Sequence, residues 1–247
     1  YDNLTPLNCS KILGPNYALL QPEYKLLRKK VLPRTNKIKK ILVYFGSDYK
    51  FKLTEMSLLA LEKIQQSKIS VDVVINDSSE YKLNFNKWTK RYKNISFFQD
   101  LSSLAELILK ADFSIGACGS TTWERCCLGL PSLTITLAEN QKQIAKEMHK
   151  YNLLFWIGHF DVVKTTDIMK ALTSIFTKEN LNAWSKNCLD IVDGHGTERV
   201  ADILMLNKDT NFKIRLATQD DENLLLNWAN DQLVRSNAFN KNKISKE

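Results

Sequence analysis

The stretch ADFSIGACGSTTWERCCLGLPSLTITL, residues 111–137, decides the fold class of this chain. Its first residues, 111–116, predict a short strand, and the apolar run at 132–137 predicts another. Between them, residues 122–129 place apolar side chains at helical spacing. A strand, a helix and a second strand at this interval form a βαβ unit, in which the two strands lie parallel.

The same alternation continues on both sides of this unit. Apolar runs predict further strands at 41–45, 71–75 and 95–98. Helical patterns lie at 53–66, 101–110, 141–151, 166–176, 181–192 and 199–206, and a polar helix-like stretch surrounds Trp88. The sequence therefore predicts a three-layer, Rossmann-like α/β sandwich around a parallel sheet, over residues 37–206.

The two ends of the chain depart from this pattern. Residues 1–36 contain an extended piece at 17–20 and a short basic helix after Pro22, but no complete βαβ unit. Residues 207–247 predict a linker, a strand at 212–216 and a helix at 220–230. One strand and one helix are too few to close a core unaided, so we expect a second, truncated domain there.

Charge and composition exclude some classes of function. The net charge is +8, from 35 Lys and Arg against 27 Asp and Glu, and the basic residues are dispersed. No Arg-rich stripe carries interleaved aromatic residues, which argues against nucleic-acid binding, whereas attraction of an anionic small molecule fits the surplus. No apolar run is long enough to span a membrane and no signal pattern opens the chain, so a cytoplasmic location is expected. The chain begins without Met, and we expect its first residue not to be a natural N-terminus.

The metal-ligating residue types do not form a recognisable site. The five cysteines show no metal-ligand spacing and are expected to be buried thiols. The three histidines lie far apart, and each is expected at the surface or at a cap. The sequence predicts no metal site.

Polar loops follow three of the predicted strands. In a parallel sheet, ligands bind beyond the carboxyl ends of the strands. The candidate residues there are Gly46, Ser47 and Asp48 after the first strand, Gly119 to Glu124 after the fourth, and Ala138 to Gln141 after the fifth.

The loop after the fourth strand has two interpretations. In the first, Gly119 admits a ligand close to the backbone, and Ser120, Thr121 and Thr122 place hydroxyls beside the free N–H groups of a starting helix, which favours a phosphate or diphosphate. Glu124 would then reach past the phosphates and accept hydrogen bonds from a ribose diol. In the second, the Ser-Thr-Thr-x-Glu pattern is a capping box that only completes the helix start. The local sequence leaves both open.

The segment that contains this loop resembles a known family. GACGSTTWERCCLGLPSLTITLAENQ (116–141) is similar to the nucleotide-binding segment of the UDP-sugar hydrolases of nonulosonic (pseudaminic-type) acid biosynthesis. These hydrolases act on a UDP-2,4-diacetamido-2,4,6-trideoxyhexose and are relatives of the peptidoglycan N-acetylglucosaminyltransferase. Three further motifs follow the family's order, namely LGPNYALLQPEY (13–24), YFGSD (44–48) and DGHGTERVADIL (193–204). The resemblance covers about residues 1–206 and implies the C-terminal lobe of a GT-B fold, with residues 1–36 as the interdomain segment and tail of an N-terminal lobe.

The resemblance implies an activity and a set of contacts. Water would cleave the anomeric C–O bond of the UDP-linked sugar and release UDP, without a cofactor. The contacts implied are Gly119, Ser120 and Thr121 on the diphosphate, Glu124 on the ribose, Asn140 and Gln141 on the sugar, and the backbone near Phe98 and Gln99 on the uracil. The family's catalytic base is a His of a Gly-His motif in the N-terminal lobe, so no catalytic residue is expected in this sequence.

Two residues depart from the family's pattern. Phe45 and Cys118 stand where the family has one glycine of a pair at each loop. Either side chain could narrow the approach of the backbone to a phosphate.

The C-terminal segment resembles a second family. IRLATQDDENLLLNWANDQLVRSNAF (214–239) is similar to the opening strand and helix of GNAT N-acetyltransferases that acetylate UDP-amino sugars. This implies acetyl-CoA as the cofactor of that domain in the parent protein.

The two alternatives to a hydrolase are the donor-binding lobe of a GT-B glycosyltransferase and a non-catalytic nucleotide-binding module.

Overall fold

The structure is a computed structural model that describes residues 11–46, 52–64, 69–75, 94–99, 101–177, 180–206, 215–236 and 242–245. The chain divides into two compact units, Tyr1–Ile203 and Leu204–Glu247. The helices are α1 (Pro22–Arg28), α2 (Lys52–Lys63), α3 (Ala105–Lys110), α4 (Thr121–Cys127), α5 (Glu139–Lys150), α6 (Thr165–Thr177), α7 (Leu181–Ile191), α8 (Gly196–Leu206), α9 (Glu222–Ala229) and α10 (Gln232–Ser236). The strands are β1 (Lys40–Tyr44), β2 (Ser70–Ile75), β3 (Ile95–Gln99), β4 (Phe113–Ala117), β5 (Ser132–Thr136) and β6 (Phe155–His159).

The six strands form one parallel sheet in the order β3-β2-β1-β4-β5-β6. The chain progresses outward from β1 to β3 on one side and from β4 to β6 on the other. The predicted Rossmann-like fold is therefore confirmed. Sheets of this kind have a topological switch point where the direction of progress reverses, here between β1 and β4, and a crevice opens there at the carboxyl ends of the strands.

Helices cover both faces of the sheet because the strands are apolar on both sides. Along β1, Ile41 and Val43 point into the core beneath α2 and α6, and Leu42 points into the core beneath α1, α3, α4 and α5. Alternate residues of a strand face opposite sides of a sheet, so this continuous apolar run serves two cores.

The structure departs from the predicted elements in two places. Strand β6 was not predicted, because its FWIGH sequence mixes aromatic residues with Gly and His. The helix predicted at 101–110 begins only at Ala105, where the Ser103 hydroxyl accepts a hydrogen bond from the Ala105 N–H at 3.1 Å. The stretch around Trp88 lies outside the described residues.

The segments that flank the lobe bind to each other, and we name this pair, residues 14–20 and 193–199, the clasp. The Thr197 hydroxyl accepts a hydrogen bond from the Leu20 N–H at 3.1 Å and donates to the Leu20 carbonyl at 2.9 Å. Arg199 pairs with Asp193 and also donates to the Asn16 carbonyl at 2.9 Å. A Cβ on Gly196 would lie 2.3 Å from the Ala18 carbonyl oxygen, so the contact requires glycine.

In the second unit, the structure describes a short 3-10 turn, Gln219–Asp221, followed by α9 and α10. A capping box joins Thr218 and Asp221 at this start, and Arg215 pairs with Asp221. Arg215 and Leu216 lie in irregular backbone instead of the predicted strand, whose other residues are outside the described part. Within the described residues, every helix is too short or too polar to cross a membrane.

Candidate functional site

The predicted candidate site lies at the carboxyl edge of the sheet, where β1, β4 and β5 end side by side. Gly46 follows β1 with a φ of 66°, and a Cβ there would meet no atom within 4 Å. Ser47 and Asp48, which belong to the same predicted loop, lie outside the described residues.

The turn between β4 and α4 exposes unpaired backbone donors. Thr122 N–H bonds to the Gly119 carbonyl and Trp123 N–H to the Ser120 carbonyl, both at 3.0 Å. Within the described part of the chain, the N–H groups of the three preceding residues, Gly119, Ser120 and Thr121, have no acceptor. Free N–H groups at the start of a helix are donors that an anion can accept from. We call residues 119–121 the amide turn.

The capping-box interpretation does not match the geometry of this turn. Ser120 has helical torsions (φ −56°, ψ −36°), and its side chain makes no capping hydrogen bond in the described turn. A capping box needs an extended N-cap residue whose hydroxyl bonds a backbone N–H. The hydroxyl of Ser120, which is exposed, is therefore available to a ligand.

Arg125 supports the amide turn from beneath. Its side chain is 4% exposed and donates through Nη2 to the Ala117 carbonyl at 2.6 Å and to the Thr122 hydroxyl at 3.0 Å. The guanidinium thus joins the end of β4 to the first turn of α4. Burial lowers the pKa of Arg125, and the thiols of Cys118 and Cys126 and the carboxylate of Glu124 oppose that shift. Arg125 was not among the site residues predicted from the sequence, although it is adjacent to Glu124.

This arrangement separates Thr122 from the other predicted hydroxyls. Thr122 is 2% exposed and its hydroxyl is engaged by Arg125, whereas Ser120 is exposed and Thr121 half-buried. A ligand at the amide turn therefore meets Ser120 and Thr121 first, and Thr122 acts through the shape of the turn.

The loop after β5 lies beside the amide turn. The Gln141 Oε1 accepts a hydrogen bond from the Leu137 N–H at 2.7 Å. This orients the amide so that Nε2 lies 3.8 Å from the position of a Cβ on Gly119. Asn140, its neighbour, is exposed. The structure thus brings together the loops after β4 and β5, as the parallel topology predicts.

Phe98 and Gln99 lie farther along the same edge. They end β3, which is separated from β4 by β2 and β1, a distance of about 14 Å at ordinary strand spacing. Phe98 is half-buried and Gln99 is exposed. Any ligand that reached both these residues and the amide turn would have to span the carboxyl ends of the two central strands.

The two side chains that replace family glycines pack into the interior. Phe45 is 2% exposed in the core beneath α2 and α6, and Cys118 is 3% exposed in the opposite core. Burial raises the pKa of the Cys118 thiol, which keeps it neutral. Neither side chain therefore projects into the solvent at the edge.

Glu124 is half-buried one turn into α4, against residues of α1 and the start of α3. Tyr24 on α1 is a side-chain neighbour of Glu124 and of Ser103. Burial raises the pKa of Glu124; the neighbouring Tyr24 hydroxyl and Arg125 oppose this, and the Glu23 carboxylate adds to it. Tyr24 was not predicted, although it is the last residue of the quoted segment 13–24.

A small cavity of about 10 Å³, room for about one water molecule, lies on the α3 and α4 side of this edge. Thr121, Tyr44 and Arg125 line it together with Ser114 and apolar residues of β1 and α3. The Ser114 hydroxyl and the Arg125 Nε are buried without a hydrogen-bond partner in the described structure. The floor of the site therefore combines an apolar wall with a buried positive charge.

Comparison with known proteins identifies two relatives in sequence. No protein-family model matches the chain. The chain is 25% identical over 240 residues to an uncharacterised protein of Methanocaldococcus jannaschii, covering 90% of this chain and 44% of that protein. It is 23% identical over 193 residues to the spore coat polysaccharide biosynthesis protein SpsG of Bacillus subtilis, covering 77% and 57%. The chain thus spans about half the length of the curated relatives it matches.

Comparison with solved structures identifies the fold. Staphylococcus aureus MnaA in a co-structure with UDP has a TM-score of 0.57 at 14% identity, over 81% of this chain and 52% of MnaA. WaaG, a glycosyltransferase involved in lipopolysaccharide biosynthesis, has a TM-score of 0.52 at 20% identity, over 76% and 53%. Os79 of O. sativa in complex with UDP has a TM-score of 0.54 at 14% identity, over 73% and 42%. The described lobe has the fold of one lobe of a GT-B glycosyltransferase.

Proposed function

We propose that this lobe binds the nucleotide of a UDP-sugar at the carboxyl edge of its sheet. The observation that carries the proposal is the amide turn, whose three consecutive N–H groups lack acceptors among the described residues and lie near the half-buried carboxylate of Glu124. The N–H groups suit the oxygens of a diphosphate, because they are aligned donors at the topological switch point. Glu124 suits a ribose diol, because an ionised carboxylate accepts hydrogen bonds and repels a phosphate placed next to it.

The remaining contacts follow from the same placement. Ser120 and Thr121 add hydroxyls to the diphosphate, and Gly46 allows the backbone after β1 to approach it. Gln141, whose Nε2 faces the amide turn, and Asn140 would donate to the sugar. The uracil would lie toward β3, near Phe98 and Gln99. The solved structures of this fold that hold UDP, MnaA and Os79, support a uridine nucleotide over an adenosine one.

For the reaction of the whole protein, the donor-binding lobe of a glycosyltransferase has the stronger support. WaaG shares the fold and is a glycosyltransferase, and SpsG takes part in polysaccharide biosynthesis. Hydrolysis of a UDP-2,4-diacetamido-trideoxyhexose, and acetylation by an acetyl-CoA-dependent domain beyond residue 207, remain predictions from the sequence. Incubation of the full-length parent with the UDP-sugar, with and without an acceptor, separates them: release of UDP that needs an acceptor indicates transfer, and release into water alone indicates hydrolysis.

The nucleotide site is tested by Glu124→Ala in the present chain. Loss of charge-assisted hydrogen bonds to the ribose should weaken UDP binding about 30-fold, or about 2 kcal/mol, as measured by calorimetry. In thermal unfolding, UDP should protect the unmodified chain more than AMP does, and the variant should lose most of that difference.

Glu106→Ala is the matched control, because Glu106 is an exposed carboxylate on α3 whose partner is Lys110. It should leave UDP binding unchanged. Equal protection of the unmodified chain by UDP and AMP would reject the uridine site, and an unchanged UDP affinity in Glu124→Ala would reject the ribose contact.

A further inference from the structure

Arg125 is a buried cation whose set of hydrogen-bond partners is incomplete. Its side chain is 4% exposed, and its Nη2 donates to the Ala117 carbonyl and the Thr122 hydroxyl. Its Nε is buried and has no partner among the described residues. A buried donor on a charged group is costly to leave unpaired, because bulk water no longer solvates it. An acceptor for this N–H is therefore expected close by.

Ser114 has the same deficit on the same face of the sheet. It lies on β4, is 1% exposed, and its hydroxyl is buried without a partner in the described structure. Alternate residues of a strand share a face, so Ser114 and Gly116 point to the same side. Arg125 lies over that side, since its Nη1 is 2.7 Å from the position of a Cβ on Gly116. The two unpartnered groups thus occupy one interface, between β4 and α4.

Both residues line the small cavity of about 10 Å³. Thr121 adds a third polar residue to the lining, and the wall also contains the apolar side chains Leu42, Leu104, Ile108 and Ile115. A space of this size accommodates about one water, and buried waters typically bond about three otherwise unpartnered polar groups. A phosphate or a sulfate is too large, and an apolar ligand would leave both polar groups unpartnered. Water fits the volume and the chemistry together.

We infer that this cavity is the binding site of one ordered water, which accepts a hydrogen bond from the Arg125 Nε and shares a second with the Ser114 hydroxyl. The water fastens the guanidinium to β4 at Ser114, whereas Nη2 fastens it to the end of the same strand at Ala117. A bridging water is nearly as favourable in enthalpy as a direct hydrogen bond. Because Nη2 also holds the Thr122 hydroxyl, the water fixes the first turn of α4, and with it the amide turn, on the sheet. This inference concerns the free lobe and is independent of whether the amide turn binds a nucleotide.

A crystal structure of the unmodified chain tests the occupant directly. One density peak should lie within hydrogen-bond distance of both the Arg125 Nε and the Ser114 Oγ. Crystals grown in bromide should show no anomalous signal at that point, because a neutral water holds it. A cavity without density, or a bromide signal inside it, overturns the inference.

Ser114→Ala tests whether the hydroxyl has a partner in solution. If the water bonds Ser114, the variant loses a hydrogen bond, and the equilibrium constant for unfolding in urea should rise about fivefold. Thr134→Val is the matched control, because the Thr134 hydroxyl is also buried without a partner in the described structure, yet Thr134 is not among the residues that line the cavity. Removal of an unpartnered hydroxyl is neutral or stabilising, so the control should leave the constant unchanged or lower it. A Ser114→Ala variant no less stable than Thr134→Val overturns the inference.

Amide hydrogen exchange tests the link from the water to the amide turn. The Thr122 and Trp123 N–H groups bond the carbonyls of Gly119 and Ser120. In the Ser114→Ala variant these two amides should exchange about fivefold faster than any change in global stability requires. The N–H of Val71, a residue on the distant strand β2, is the internal reference. Equal acceleration at all three amides would show that the water does not fix the turn.

Discussion

The clasp and the amide turn are both built on glycine, yet they treat their backbone groups in opposite ways. In the clasp, Gly196 is in contact with the Ala18 backbone, and the Leu20 N–H and carbonyl are both bonded to Thr197. In the amide turn, a Cβ on Gly119 would meet only Gln141 at 3.8 Å, and three N–H groups lack acceptors in the described structure. The Leu20 backbone groups in the clasp are bonded within the chain, whereas the amide turn has N–H donors without acceptors among the described residues.

The two motifs look alike in sequence, but this difference indicates that each contains glycine for a different reason. Glycine in the clasp is required by the fold, because the neighbouring backbone occupies the space of a side chain. Glycine in the amide turn is not required by the packing of the free protein, which is expected if the space belongs to a ligand. Stability and nucleotide affinity should therefore separate when the two glycines are changed.

The largest effect is expected for Gly196→Ala. The added Cβ would lie 2.3 Å from the Ala18 carbonyl oxygen and 2.6 Å from the Ala18 nitrogen, both backbone atoms. Relief of these contacts requires the two segments to separate, and we expect the free energy of unfolding to fall by about 3 kcal/mol. Urea denaturation measures this loss. A fall of less than about 0.5 kcal/mol would show that the clasp tolerates a side chain and would end the contrast.

For Gly119→Ala we expect a smaller effect, which falls on UDP affinity and leaves stability nearly unchanged. The free energy of unfolding should stay within about 0.5 kcal/mol, because the nearest atom to the new Cβ is at an ordinary contact distance. UDP affinity should fall about tenfold, or about 1.4 kcal/mol, because the methyl group enters the space that we propose for the diphosphate. Calorimetry and urea denaturation on the same preparation measure both quantities. Unchanged UDP affinity would mean that the ligand does not approach this residue.

Acidification should have the smallest effect. As the pH falls, nucleotide affinity at the amide turn should decline before the stability contributed by the clasp does. Burial raises the pKa of Glu124 above the ordinary 4.5, so the ionised form, which we propose accepts ribose hydroxyls, is lost at a higher pH than for an exposed Glu. In the clasp, the Arg199 hydrogen bond lowers the pKa of Asp193 below the ordinary 3.8. Stability from Asp193 is therefore present above its ordinary pKa and is lost only as the pH falls toward its depressed value. Protonation of Glu124 does not lower the free energy of unfolding, because the pKa of this carboxyl is raised in the folded state.

As the pH falls from neutrality toward 4.5, the ordinary pKa of a glutamate, UDP affinity should thus decline while the midpoint of urea denaturation changes little. The diphosphate titrates in the same range, so 2′,3′-dideoxy-UDP is the control, since it carries the same phosphates without the ribose hydroxyls. The affinity difference between the two nucleotides should shrink as the pH falls. A constant difference would show that the ionised form of Glu124 does not bind the ribose.

The fold could be predicted from the sequence because its signals are local. The apolar runs at 41–45, 71–75 and 132–137 mark strands without reference to the rest of the chain, and the intervening helices make the sheet parallel. The edge on which Gly119 and Gln141 meet follows from that topology alone. Strand β6 was missed because a strand at the edge of a sheet is less apolar, and its Gly158 and His159 weaken the pattern.

The parts of the candidate site that were missed depend on contacts between distant residues. Tyr24 and Glu124 are on separate helices, and no periodicity joins a tyrosine in one segment to a carboxylate in another. Arg125 is adjacent to Glu124, but its role depends on the path of the Ala117 carbonyl at the end of β4. Prediction of such residues requires the packing of α1 and α4 on the sheet, which one sequence does not contain.

The clasp also constrains the order in which the lobe can be completed during synthesis. Leu20 and Thr197 are 177 positions apart, so the first partner leaves the ribosome long before the second has been translated. The βαβ units between them close shorter loops and lose less chain entropy, which favours their assembly first. The segment around Ala18 must wait, with its backbone solvated, until the last helix of the lobe has emerged to cover it.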